Sequence, residues 1–285
     1  MNAISLERRR TRVRPTGVLV SIFLAIWFVL SVGPLVWTWM NGLRTTSEIF
    51  SQPIGAPSLD NVGNYALAWE TARLGQALLI SVIIAVASVV LGLVCSLLAG
   101  FALSRCRLPF SRTLTTFFLV GLLIPTFALL LPILLIFQPL GLISNPLGLI
   151  LLQAGFHISL GVFLFKNAFD SIPNEYFEAA MIDGASVPRI LFSIAFPGVK
   201  AMVATFSILA FLGAYNDYVF ALVLNNDPLL RTLPVALLAF NGEYGGTSFD
   251  LVFAAVTITT IPPLIAYLVL RRQVLTSMAT GAGAS

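Results

Sequence analysis

Three carboxylates, Glu175, Glu178 and Asp183, fall within nine residues of one another, interleaved with Tyr176, Phe177 and Met181. A fourth, Asp217, sits alone in an apolar run, and the only histidine, His157, sits in another. Carboxylates can bind cations, move protons or meet basic partners, but general acid–base chemistry also needs a second group within reach. One histidine makes neither a metal cluster nor a proton relay. A P-loop needs Gly-Lys followed by Ser or Thr, so that the lysine reaches the terminal phosphates. Here Lys166 follows Phe165 and Lys200 follows Val199. Cys95 lies in an apolar run and Cys106 between Arg105 and Arg107, with no metal or disulfide pattern around either. Intramembrane proteolysis, metal catalysis and P-loop ATP hydrolysis are thereby excluded, and the chain is expected not to be an enzyme. The chemistry that remains is recognition.

The elements that carry these groups must live in lipid. Apolar residues make up 58% of the 285-residue chain and charged residues 10%, with a mean hydropathy of +0.95. A soluble domain cannot hide that much apolar surface. Six stretches reach the roughly 20 residues that a span requires, at about 17–39, 77–103, 113–137, 147–165, 201–224 and 251–270. Their continuous apolar character predicts helices rather than the alternating strands of a barrel. The expected fold is all-α, a six-helix membrane bundle over 17–270, with a basic N-terminal segment 1–16 and a tail 271–285. The run that follows the first arginines is too long for the h-region of a cleaved signal and ends at Trp37 and Trp39, which suit an interface. It reads as a retained helix. Pro34, Pro125, Pro132 and the Pro262-Pro263 pair read as kinks, or as hinges.

Basic residues set the orientation. Arg8, Arg9, Arg10, Arg12, Arg14, Arg105, Arg107, Arg112, Lys166, Arg189, Lys200, Arg271 and Arg272 fall on one face, against Arg44, Arg73 and Arg231 on the other. By the positive-inside rule both termini and segment 166–200 are cytoplasmic. The net charge of +4 is thus a matter of topology, since no basic stripe interleaved with aromatics points to nucleic acid.

Segment 166–200 is predicted to hold a short helix. Pro173 suits its first turn, Glu175 and Glu178 its positive end, and Gly184 the residue just beyond it. Ser186 can cap a second helix, with Pro188 in the first turn. Tyr176, Phe177, Ala180 and Met181 share one face, so an apolar stripe about 13 Å long is flanked by carboxylates. Such a helix can lie on lipid headgroups or dock in a groove of another protein. Lipid-surface helices tend to be basic, and this one is acidic, which favours the groove.

Glu178-Ala179-Ala180, then Gly184, then Ile194-Ala195-Phe196-Pro197, resembles the EAA loop of importer-type ABC permeases, with Phe196 where the family has leucine. Ala214-Tyr215-Asn216-Asp217-Tyr218, Thr232-Leu233-Pro234-Val235 and the Gly/Ala-rich tail are similar to the carbohydrate branch, in particular to the smaller permease of maltose-type systems. Relatives usually carry Trp-Asn-Glu-Phe in the first of these stretches. The resemblance implies a permease that forms half of a sugar pathway. Its partners would be a second homologous permease, two copies of an ATPase that binds ATP and magnesium, and an extracytoplasmic sugar-binding protein. This chain would bind no cofactor. Residues Tyr176, Phe177, Glu178, Ala179, Ala180, Met181, Asp183 and Gly184 would then contact the ATPase. A self-sufficient carrier or channel is the alternative, and one Asp and one His make a thin ion relay for it.

Inside the spans, Gly213, Asn216, Asp217 and Phe220 are expected on one helical face. An intramembrane carboxylate faces a cavity or a partner rather than lipid. Tyr215, Asn216, Asp217 and Tyr218 are therefore candidates for the sugar path, with a structural anchor as the competing role for Asp217. For His157 and Gln153, one turn apart, the expectation is an interhelical hydrogen bond.

Overall fold

A computed structural model describes residues 15–241, 246–269 and 271. The N-terminal arginines and the Gly/Ala-rich tail from Arg272 onward lie outside them. In chain order the helices are α1 (Pro15–Asn41), α2 (Thr46–Ser51), α3 (Gly63–Thr71), α4 (Leu74–Arg105), α5 (Ser111–Gly121), α6 (Leu130–Phe137) and α7 (Pro146–Asp170). After these come α8 (Asn174–Ile182), α9 (Val187–Ile190), α10 (Phe196–Tyr215), α11 (Val219–Leu224), α12 (Leu233–Ala236) and α13 (Phe249–Thr259). Among the described residues the extended backbone amounts to one isolated bridge, between Asn241 and Thr247. The protein is all-α.

Among the described residues, five helical stretches are long and apolar enough to cross a membrane: Leu19–Asn41, Leu74–Arg105, Pro146–Asp170, Val187–Tyr215 and Phe249–Val269. The expected third span is not straight. Its two pieces, Ser111–Gly121 and Thr126–Phe137, meet at 96°. Pro125 stands at the bend, where it lacks an N–H and biases Ile124 away from the helical region. The fifth span also differs from the expected 201–224. It starts earlier, passes through a π-helical turn at Leu191–Ala195, and stops at Tyr215. Residues 216–218 are non-helical, and α11 follows as a separate turn.

The bundle is built on α4 and α7, its most extensively packed pair. Their seam is lined by small residues that let the backbones approach, as lipid-embedded helices require. Gly92 faces Ala154, Gly161 faces Ser96, and Gly100 faces Phe165. Ser88 and Ser96 are buried, and each donates its hydroxyl to a carbonyl one turn back, Ile84 and Gly92, at 2.6 Å. α10 packs across both helices. At the far end of α4 from Arg105, the chain after α1 is folded around Arg44, which is buried and donates to Asn41 Oδ1 at 2.8 Å and to the Glu48 carbonyl at 2.7 Å. α1 meets α13, with Trp37 edge-on to Phe253, and the membrane-spanning part of its surface is unburied.

The seam generates one prediction. A Cβ on Gly100 would lie 2.8 Å from Phe165 Cβ and 3.0 Å from the Lys166 backbone nitrogen, atoms that cannot move independently of α7. Gly100→Val is expected to destabilise by about 1–3 kcal/mol, read as a lower apparent Tm in detergent. Gly155→Ala, where nothing stands within 4 Å, should match the wild type.

Candidate functional site

The acidic segment after α7 forms the predicted short helix, α8. Pro173 sits at its N-cap position, one residue before the first turn, and Glu175 lies in that turn. The end is a Schellman stop: the Ala185 N–H donates to the Ala180 carbonyl at 2.9 Å, and the Gly184 N–H to that of Met181 at 3.1 Å. Gly184 makes this turn at φ +74°, where a side chain would be strained although nothing crowds the site. Ser186 occupies the N-cap of α9 with Pro188 in the first turn, but its hydroxyl makes no capping hydrogen bond.

The expected single apolar stripe of α8 is split between two faces. Phe177 and Ala180 are buried in the permease, in a cluster with Phe101, Phe165 and Phe169. Tyr176, Met181 and Ile182 point outward, at 62%, 60% and 86% exposure. Glu175, Glu178, Ala179 and Asp183 are exposed as well. Phe177 and Ala180 are therefore the helix's attachment to the bundle, and the surface available to a partner is Tyr176–Glu178–Ala179–Met181–Ile182–Asp183. A helix this short is not stable by itself in water, so the buried pair supplies what propensity cannot.

Arg105, the last residue of α4, completes the attachment. Its guanidinium carbon lies 4.1 Å from the centroid of the Phe177 ring. Nη1 donates to Asn174 Oδ1, and Nη2 donates to the Phe169 carbonyl and, at 2.6 Å, to the Ile172 carbonyl. Next to it, Asp170 Oδ1 accepts from Ser104 Oγ and Oδ2 from Lys166 Nζ, both at 2.6 Å. Sequence reasoning counted Arg105 only as a topological charge. Its partners lie 64–69 residues away, beyond any local pattern.

In the middle of the bundle, the two broken spans face each other across a cavity of about 650 Å³. Pro125, Thr126 and Phe127 of the first break form one wall, Asn216–Phe220 of the second form another, and Gln153, Phe156 and His157 of α7 lie between them. Non-helical backbone at membrane depth is tolerated where it lines a cavity or is buried in protein. Asn216, Asp217 and Tyr218 thus share one opening with Gln153 and His157. Gly213 and Phe220 line it too, although the single continuous helix expected to align them is interrupted.

Asp217 divides its work between its oxygens. Oδ1 accepts the Phe220 backbone N–H at 3.3 Å, capping the free amides that open α11. Oδ2 is buried and makes no hydrogen bond of good geometry, although the Gln153 side chain is its neighbour. Tyr215 does not line this cavity. It is buried, donates its hydroxyl to the Thr259 carbonyl at 3.0 Å, and so ties α10 to α13. It borders a different, mainly apolar cavity of about 670 Å³, shared with Asn216. His157 also departs from expectation. Nδ1 lies 2.6 Å from the Gln153 carbonyl of its own helix, so Nδ1 carries the proton and the bond is not interhelical. Its Nε2 is turned toward Gly213, where an added Cβ would come within 2.5 Å.

Residues 92–278 match the family described as the inner membrane component of binding-protein-dependent transport systems. The diacetylchitobiose uptake system permease protein NgcG of Streptomyces coelicolor is 30% identical over 259 residues, 90% of this chain and 86% of the relative. The melibiose/raffinose/stachyose import permease protein MelC of Bacillus subtilis is 30% identical over 220 residues, 77% of this chain and 79% of the relative. In fold, the chain is similar to a protein in the crystal structure of a bacterial ABC transporter involved in import of the acidic polysaccharide alginate. The TM-score is 0.75 at 21% identity, over 94% of this chain and 99% of that one. The anchored helix α8, the broken spans around a cavity and the match over about two thirds of the chain agree, and the protein belongs to the binding-protein-dependent transport system inner membrane components, as a multi-pass membrane permease.

Proposed function

We propose that the chain is the sugar-conducting permease of an ATP-driven importer, taking a mono- or oligosaccharide or a related polyol or glycerol phosphate from an extracytoplasmic binding protein. A second permease would supply the other half of the pathway, and a dimer of ATPase subunits, holding ATP and magnesium, would supply the energy. Both termini and α8 would be cytoplasmic, on the asymmetry of basic residues. The observation that carries the reading is α8. One face is fixed to α4 and α7 through Phe177, Ala180 and Arg105, and the other offers Tyr176, Met181 and Ile182 edged by Glu178 and Asp183. An anchored helix with exposed apolar residues and an acidic rim suits a protein groove with basic residues. The sugar assignment is supported by what the named relatives import, and by the cavity chemistry. Sugar hydroxyls donate and accept, and Gln153, Asn216, Asp217 and Tyr218 offer both.

The docking assignment is tested by hydrolysis in the reconstituted complex. Glu178→Lys should insert normally and lose about tenfold or more of binding-protein-stimulated hydrolysis, because it sets a cation against a basic groove. Arg105→Ala strands Asn174 and two carbonyls, costing about 1–3 kcal/mol of α8 attachment. It should expose 171–186 to limited proteolysis and lower stimulated hydrolysis, with Arg105→Lys recovering part of both. Wild-type hydrolysis in Glu178→Lys and Arg105→Ala would refute the role given to α8.

The cavity assignment is tested at Asp217. Asp217→Asn keeps the Oδ1 acceptor for Phe220, so complex yield should hold while uptake rate or sugar preference changes. Asp217→Leu also removes the cap, worth about 1 kcal/mol, and should impair uptake more. If yield falls in step with uptake in both variants, Asp217 is a cap and no part of the path.

A further inference from the structure

By sequence only three basic residues fall on the face opposite α8: Arg44, Arg73 and Arg231. Arg44 is buried and fully engaged with Asn41, Glu48 and Gln52. The other two line one cavity. It measures about 170 Å³, and its walls are Arg73 and Gln76 at the start of α4 and Pro228, Leu229 and Arg231 of the turn before α12. Gln76 Nε2 donates to the Leu229 carbonyl at 2.7 Å and holds the two walls together.

Both arginines are exposed, and neither guanidinium makes a hydrogen bond or ion pair with any described residue. Neither Asp227 nor Glu70 forms an ion pair with them. Asp227 Oδ1 accepts the Leu229 N–H at 2.8 Å, and the contact of Glu70 with Arg73 runs through backbone atoms. Arg73 is also one of three non-glycine residues with positive φ among the described residues, at +48°, in the joint between α3 and α4. Its carbonyl accepts the N–H groups of Gln76 and Ala77 at 3.0 and 3.1 Å, so the direction in which its side chain leaves the backbone is fixed. A residue with a side chain is strained in that conformation, which marks the position for attention.

We infer that Arg73 and Arg231 form a receptor for a carboxylate, an aspartate or glutamate side chain on the surface of the extracytoplasmic binding protein when it docks. Two planar guanidinium groups around one concavity suit bidentate pairing with a carboxylate, and a neutral sugar hydroxyl would leave their charge uncompensated. The remaining walls are largely small or apolar, Ala72, Ala77, Ala236 and Ala239, so that an ion pair formed there is partly shielded from water. The inference rests on the importer reading above and on the orientation that places this face outside.

The test uses the assembled transporter in liposomes and the purified binding protein that stimulates its ATP hydrolysis. In the Arg73→Ala/Arg231→Ala double variant the half-saturating concentration of binding protein should rise by about tenfold. The salt dependence of half-saturation seen in the wild type should flatten. Arg73→Glu/Arg231→Glu should be weaker still, and Arg73→Lys/Arg231→Lys, which keeps both charges but not the bidentate fork, should fall between wild type and the Ala variant. Unchanged half-saturation and salt dependence in the Ala and Glu variants would overturn the inference while leaving the importer reading intact. A lowered maximal rate with unchanged half-saturation would overturn it too, because the arginines would then shape the helices and not the docking. A wild-type complex that no binding protein stimulates would instead remove the importer reading, and the receptor with it.

Discussion

Lipid tails are as apolar as leucine, so no hydrophobic drive holds two helices together within a bilayer. α4 and α7 must gain from close contact instead, and the glycines at 92, 100 and 161 with the serines at 88 and 96 provide it. The seam is the axis of the molecule. α4 alone, 32 residues, is about 48 Å long. At one end its terminal arginine clamps α8, and at the other the Arg73 joint borders the cavity shared with Arg231. Nothing at either end would be positioned if the two helices slid apart.

The second constraint is that lipid tolerates no unpaired backbone. Both interrupted spans meet it by turning their breaks inward, toward α7 and one another. There Asp217 satisfies an amide at the start of α11, and Pro125 has no amide to satisfy. The breaks also create room. Where the helices are interrupted, the chain leaves a cavity in which Gln153, His157, Asn216 and Tyr218 stand among Phe127, Phe156 and Phe220. The feature that costs helical continuity is thus the one that makes a path for a polar solute conceivable in an apolar bundle.

Much of this was legible in the sequence, for physical reasons. Span number follows from bilayer thickness, and α8 from its proline, its carboxylates and its glycine, each of which acts within a few residues. What was not legible depends on contacts across the chain. Spacing put Phe177 and Ala180 beside Tyr176 and Met181. Only the packing against Phe101 and Phe169 separates the pair that faces in from the pair that faces out. Asp217 read as a residue within one continuous helix because hydropathy averages over a break of three residues. Tyr215 read as path-lining because its partner, the Thr259 carbonyl, is 44 residues away. Arg105 carried no local signal at all.

The central claim is that α8 presents its outer face to an ATPase. The most direct measurement is photo-crosslinking from a benzophenone side chain at position 182, replacing Ile182, the most exposed residue of α8, in the assembled transporter. The account predicts an adduct with the ATPase subunit from 182, and none from the same probe at position 54, where Ile54 is 95% exposed on the opposite side. An adduct with lipid alone from 182, or an ATPase adduct from 54, would contradict it.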